Sequence, residues 1–235
     1  MSESQQAETT AETKTAQTKT AQTKAAVALE DEGYYHESAL NAAWTGVRLA
    51  IGSLTFLFGA FAFSYFYLRS IDSEGRWQGS GFHHPNGWMG AIIMLTILAS
   101  AGAHYHGLQR IKAGHKRTWQ ISGLVALGLG LGAVAAQICE LVFLPFPPGS
   151  SGYSSVFTGF YPVFIVILLS AMIWLETLLA RSRFIPAVSF IEQPPTYTET
   201  FALQRFQASL SAFSTLWNYL GLMALLFWLL FYAVS

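Results

Sequence analysis

The sequence predicts an all-α integral membrane protein, a bundle of five transmembrane helices. Five long apolar stretches with almost no internal charge occupy most of residues 44–235. A helix needs about 20 such residues to cross a hydrocarbon core of about 30 Å. Composition agrees, because 52% of the residues are hydrophobic and only 11% are charged, whereas soluble domains have roughly 25% charged residues.

The predicted spans follow the apolar stretches in chain order. They cover residues 44–68, 88–108, 119–146, 156–179 and 210–234. The second apolar run is the shortest, because it ends at Ala103. It needs the polar but neutral segment 104–108 to reach the far interface.

Residues 1–43 differ in composition from the rest of the chain. They are rich in Ala, Thr, Gln, Glu and Lys, and the run Thr-Lys-Thr-Ala-Gln repeats between residues 13 and 24. Such a segment can bury little apolar surface, and this burial cannot offset the entropy lost when the chain is ordered. We therefore expect residues 1–43 to be a disordered, low-complexity tail. Helix is the alternative, since Ala, Gln, Glu and Lys favour it.

The basic residues predict the orientation of the bundle. With five crossings, 11 of the 13 Lys and Arg residues fall on the side that holds the tail and the loops after spans two and four. Only Arg69 and Arg76 fall on the other side. Cytoplasmic segments are enriched in Lys and Arg, so we expect the N-terminus inside and the C-terminus outside.

Histidine and cysteine positions limit the redox cofactors that the helices could hold. Only His104 and His106 lie within a predicted span, so two helices cannot clamp one haem or copper between them. These two lie about 200° apart on a helix and cannot both face one metal. The single Cys139 excludes a cysteine cage. We expect no metal, no redox cofactor and no catalytic centre in this chain, and solvent or partner contacts for His83 and His84.

Carboxylates inside apolar spans are the default candidates for function. Glu140 follows Gln137 by three positions, so both side chains share a helix face and can hydrogen-bond toward one partner. Glu176 lies within five residues of Arg181. Either carboxylate could relay protons or could pair with a neighbour or a companion subunit. We favour pairing for both, with Gln137 and Glu140 as contact residues near the outer surface.

Glycines in the third span form two patterns. The run from Gly128 to Gly132 superficially resembles a dinucleotide-binding fingerprint, but it lies inside an apolar helix rather than at the start of a helix after a strand. Gly128, Gly132 and Ala136 recur every four residues and form a stripe that lets another helix approach closely. We therefore expect helix packing there.

Several segments share a resemblance to one known family. They are the run Trp44 to Arg48, the run Ser64 to Ser70 that closes span one, Ala103 to His106 with its following basic loop, the Gln-x-x-Glu of Gln137 to Glu140, and the last span from Trp217 to Tyr232. Together they resemble subunit III of haem-copper oxidases that use cytochrome c or quinol, in a divergent five-helix bacterial form. The resemblance covers about residues 40–235.

The sequence departs from that family at three places. Leu54 stands where the family has a buried Glu, and Tyr161 stands where a Thr-Gly-Phe-His segment has its His. In the last helix, Asn218 and Gly221 occupy the family's His and Asp positions. The roles of those family residues are therefore not carried over to this chain.

The resemblance implies a non-catalytic subunit that binds beside oxidase subunits I and II in a bacterial plasma membrane. Haem and copper would belong to the partner subunits, and structural phospholipid would bind to this chain. The complex would pass electrons from cytochrome c or another donor to dioxygen while translocating protons, and no nucleic acid would bind. The candidate lipid or subunit contacts are Arg48, Arg69, His104, His106, Gln137, Glu140 and Trp217.

Two other functions remain open from the sequence. An accessory protein of a nitric oxide reductase, similar to subunit III, would share the fold. A small membrane transporter is the other alternative, although transporters usually show internal repeats, broken helices and ionisable groups near the midplane. None of these transporter features is evident in the sequence.

Overall fold

A computed structural model describes residues 3–72, 77–78, 84–185 and 197–234, with the backbone alone for residues 3–33, 36 and 197–199. Its helices are α1 (Glu3–Ser70), α2 (Gly87–Lys112), α3 (Lys116–Val142), α4 (Gly152–Phe184) and α5 (Tyr197–Trp228), and α5 continues as a π-helical turn (Leu229–Ala233). Each of the five contains a segment long and apolar enough to cross a membrane. The predicted all-α fold with five spans is confirmed, and the described residues contain no β-strand.

The chain divides into two compact units, Met1–Ala42 and Ala43–Ser235. The first unit is the N-terminal part of α1, which is helical from Glu3. Helix was the alternative for this segment, and its Ala, Gln, Glu and Lys content accounts for it. Disorder of the tail in solution stays a prediction.

Helix ends follow local chemistry rather than hydropathy alone. Helix α3 ends at Val142 and not at the predicted Phe146, because Pro145 follows closely and disfavours helix in the residue before it. Helix α4 starts earlier than predicted because Ser151 and Ser154 form a capping box. Helix α2 extends to Lys112, so the second span is longer than predicted.

The second unit has two ends, which we name after residues that hold them together. At the Tyr232 end, α1, α3 and α5 finish while α2 and α4 begin. There the Arg69 guanidinium of α1 donates to the Val234 carbonyl at 2.5 Å. At the Lys116 end, the Lys116 ammonium donates to the Ile185 carbonyl and, at 3.4 Å, to the Arg183 carbonyl. A cation thus satisfies carbonyl groups at the end of α4 that have no partner within the helix.

The interior between α1, α4 and α5 is mostly aromatic. The rings of Phe160 and Phe227 stack with centroids 4.1 Å apart, and Phe58 of α1 packs against both Phe160 and Phe164 at about 6 Å. Such stacked and edge-on pairs add to the stabilisation from burial. They fix the positions of α4 and α5 next to the polar cluster described below.

A close approach between α3 and α4 involves a glycine outside the predicted stripe. A Cβ added to Gly128 or Gly132 would meet nothing within 4 Å among the described residues, while Ala136, the third member of the stripe, is half-buried and packs against the core. Gly130, which is buried, lies directly against the Met172 sulfur of α4. Approach of another helix to the stripe of Gly128, Gly132 and Ala136 stays a prediction. Glycine spacing gives the periodicity of a helix face, but it does not show which face points inward.

Candidate functional site

A buried carboxylate on α3 forms the centre of the candidate site. Glu140 is 6% exposed, and its Oε1 accepts a hydrogen bond of 2.5 Å from the hydroxyl of Tyr232. The Tyr232 hydroxyl lies 2.6 Å from that of Tyr161 on α4. One residue from each of α3, α4 and the end of α5 therefore meets at the Tyr232 end.

The direction of these hydrogen bonds follows from counting protons. A phenol has one proton to donate. Tyr232 gives its proton to Glu140, so Tyr161 has to donate to Tyr232. The result is a directed chain from Tyr161 through Tyr232 to the carboxyl group of Glu140.

Gln137 lies one helical turn before Glu140 and lines a cavity next to the cluster. The cavity lies between α2, α4 and α5 and is large enough to hold a water molecule. Apart from Gln137, Tyr161, Tyr232 and Trp228, its walls are apolar or glycine. Gln137 is 3% exposed, and no described residue donates a hydrogen bond to its Oε1.

The π-helical turn holds the end of α5 in place beside α4. Phe231, in this turn, accepts a hydrogen bond of 2.9 Å at its carbonyl from the hydroxyl of Tyr153. Carbonyls in a last turn lack partners within their own helix, so a side-chain donor stabilises them. Because Tyr232 follows Phe231 directly, this bond helps to fix Tyr232 against Glu140.

Of the predicted contact residues, Gln137 and Glu140 are brought to one site. Their hydrogen-bonding face points into the bundle, and the partner found for Glu140 is a neighbour within the chain. The sequence prediction allowed for such a neighbour. A contact of these two side chains with lipid or a companion subunit stays a prediction.

The other predicted contact residues are scattered. His104 is 1% exposed and packs edge-on against Phe213 at 4.9 Å, while His106 is exposed, as expected for residues on opposite helix faces. Trp217 is fully buried and donates to the Ser100 hydroxyl at 3.3 Å. The side chains of His104 and Trp217 therefore have almost no exposed surface with which to meet lipid or a partner. Arg48 is exposed.

The remaining candidates lie away from the cluster. Glu176 and Arg181 are exposed toward the other end of α4. His84 is exposed, with its ring 6.4 Å from that of Tyr153, and His83 lies outside the described residues. No group of three or more His, Cys, Asp or Glu side chains that could hold a metal occurs among the residues that the structure describes.

Sequence reasoning did not identify Tyr161, Tyr232 and Trp228 as site residues. Tyr161 was noted only because it stands where the resembling family has His. That observation was the available signal, since it puts a polar side chain at an inward position of an apolar helix. Tyr232 and Trp228 lie in an aromatic-rich helix end, where aromatic residues are common for interfacial reasons.

No protein-family model matches the sequence, and no curated protein matches it.

Proposed function

We propose that this chain is a non-catalytic membrane subunit of a respiratory terminal oxidase, a divergent relative of subunit III. One observation supports this proposal most strongly. Segments that carry the resemblance in sequence lie together at the Tyr232 end. Arg69 from the end of span one bonds to Val234, and Glu140 of the Gln-x-x-Glu segment bonds to Tyr232 of the last span. Segments that are far apart in the chain thus lie close together, as we expect if this chain has the fold of subunit III.

In this role the chain would bind oxidase subunits I and II and phospholipid in a bacterial plasma membrane. Those partners would hold the haem and copper that reduce dioxygen. Helix α1 offers a broad apolar surface for such neighbours, because only 11% of its apolar membrane-spanning segment is buried within the chain. Exposed side chains on this surface include Leu49, Phe56 and Phe63. The contribution of this chain would be support of the catalytic subunit and retention of lipid.

Co-purification tests the proposal. The full-length chain would carry an affinity tag at its C-terminus, be expressed in its native host, and be extracted in a mild detergent. We expect partner subunits with the absorption of haem a or haem o and with stoichiometric copper. A deletion strain complemented with the tagged chain should regain oxygen consumption with an oxidase substrate.

Two outcomes would contradict the proposal. A partner that contains non-haem iron and reduces nitric oxide would indicate the reductase accessory protein instead. A complex without haem or metal, joined to uptake of a small solute by the complemented strain, would indicate a transporter. As a matched control, a tagged five-span protein of unrelated sequence from the same host should not retain the haem-containing partner.

A further inference from the structure

Two residues that line the cavity each have a buried polar atom without a partner among the described residues. Within the part of the chain that the structure describes, Gln137 Oε1 is an acceptor without a donor, and Trp228 Nε1 is a donor without an acceptor. Buried polar groups of proteins are nearly always paired, so unpaired groups in a cavity indicate a missing partner. A group that both accepts and donates would satisfy the two atoms together.

A water molecule fits this requirement. Buried waters typically make about three hydrogen bonds in cavities of this size. A water here can accept from the indole N–H of Trp228 and donate to Gln137 Oε1. Its second proton can go to the Tyr161 hydroxyl, which donates its own proton to Tyr232 and keeps lone pairs free to accept. The cavity water would therefore stand at the start of the chain that ends at Glu140.

We propose that Glu140 is a proton-binding site filled from this cavity, through a relay of the water, Tyr161 and Tyr232. The observation behind it is two short hydrogen bonds in series, 2.6 Å between the Tyr161 and Tyr232 hydroxyls and 2.5 Å from Tyr232 to Oε1 of Glu140. Their common direction follows from the single proton of each phenol. Placing an ionisable group inside a membrane costs free energy, and such groups usually have a functional role.

The transfer step moves one proton and no electrons. A proton that arrives on the cavity water passes to Tyr161, the hydroxyl proton of Tyr161 passes to Tyr232, and that of Tyr232 passes to Oε1 of Glu140. The water and both phenols end neutral, and the carboxylate becomes a carboxyl group. Rotation of the hydroxyl groups restores the original direction of the relay.

The surroundings of Glu140 suit a site that accepts a proton. The titratable groups that interact with it are Tyr161 and Tyr153 of α4 and Tyr232 at the end of α5. Helix α2 contributes Gly90, which lies against the Tyr232 ring. Oε2 of Glu140 is buried and accepts no hydrogen bond from the described residues, so none of them holds this oxygen as a carboxylate. This role differs from the contact role expected from the sequence, because the side chain points into the bundle.

Infrared spectroscopy of the full-length chain in lipid nanodiscs tests the site without any partner subunit. The C=O band of a protonated carboxyl group should appear during titration from alkaline to acidic pH, before the bands of the exposed carboxylates. It should move to lower frequency after transfer to heavy water. Glu140→Gln should remove this early band, and Glu176→Gln, at an exposed position on α4, should keep it.

The relay is tested by the rate of exchange into heavy water. Tyr161→Phe and Tyr232→Phe each leave Glu140 in place but interrupt the chain, so both should slow deuteration of the carboxyl group several-fold or more. Tyr219→Phe is the matched control, because its hydroxyl bonds to Thr55 of α1 outside the relay, and exchange should keep the wild-type rate. Gln137→Met should also slow exchange, since it removes the acceptor that holds the water.

Two results would overturn the proposal. One is an early carboxyl band that persists unchanged in Glu140→Gln. The other is an exchange rate in Tyr161→Phe and Tyr232→Phe equal to that of Tyr219→Phe. In Tyr232→Phe, the C=O band of Glu140 also reports on folding. If the variant is folded, Oε1 of Glu140 has lost its hydrogen-bond donor, and the C=O frequency rises. These results concern the chain alone, so they do not depend on which respiratory complex it belongs to.

Discussion

Gly90 at the start of α2 lies so close to the phenol ring of Tyr232 that a Cβ added to it would be 2.5 Å from Cε2 of that ring. No side chain larger than hydrogen fits there unless Tyr232 moves. The glycine therefore sets the position of the phenol that donates to Glu140.

Gly90→Ala should displace Tyr232 and break its bond to Glu140. We expect a loss of about 1–3 kcal/mol in the free energy of unfolding, as is typical of overpacked cores. Thermal unfolding in detergent measures the loss. Gly102→Ala on the same helix is the control, because its added Cβ meets nothing within 4 Å and alanine favours helix. Equal unfolding temperatures for the two variants would contradict the prediction.

Gly130→Ala should destabilise the contact between α3 and α4. The new methyl group would overlap with the Met172 sulfur and lie 3.1 Å from its terminal carbon. Met is flexible and can give way in part, so we expect a cost of about 1 kcal/mol, at the low end for overpacking. Gly128→Ala and Gly132→Ala should keep the stability of the wild type, since both positions are open within the chain. A larger loss at Gly128 than at Gly130 would place the close helix approach on the other face.

The orientation of the bundle can be tested by labelling. Cys139, which is exposed, is first replaced by Ala. A cysteine at Ala113, in the turn between α2 and α3, should react with a membrane-impermeant maleimide only after the cells are permeabilised. A cysteine at Ser80 should react in intact cells, because the Lys and Arg distribution puts this loop outside. The reverse labelling pattern would invert the predicted topology.

The purified chain should bind no redox cofactor. The reason lies in the sequence, because only one span carries histidine and there is a single cysteine. Absorption spectroscopy and elemental analysis of the isolated subunit, after removal of its partners, provide the measurement. A stoichiometric Soret band or stoichiometric copper would refute the prediction.

The span number and order could be predicted because lipid imposes one length and one secondary structure on each apolar stretch. The end of α3 was placed too late, since hydropathy includes Leu144 and Phe146 whereas proline chemistry ends the helix at Val142. The position of Gln137 and Glu140 on one helix face could be predicted from their spacing. The partner of Glu140 could not be predicted, because Tyr232 is 92 residues away in the chain. Its position depends on the π-helical turn and on packing against Gly90, which no local pattern reports.

The contacts of α1 have a consequence for how the protein is made. Phe58, Thr55 and Arg69 of α1 contact α4 and α5 or the residues just after α5. Thr55, for example, bonds to Tyr219 at 3.0 Å. The ribosome synthesises α5 after α1 to α4, so α1 has to remain in the bilayer without its α5 partners until α5 has been made. The broad apolar surface of α1 is stable in the bilayer during this time, because lipid solvates an apolar helix as well as another helix does. The packing of α1 is therefore completed only after α5 has entered the membrane.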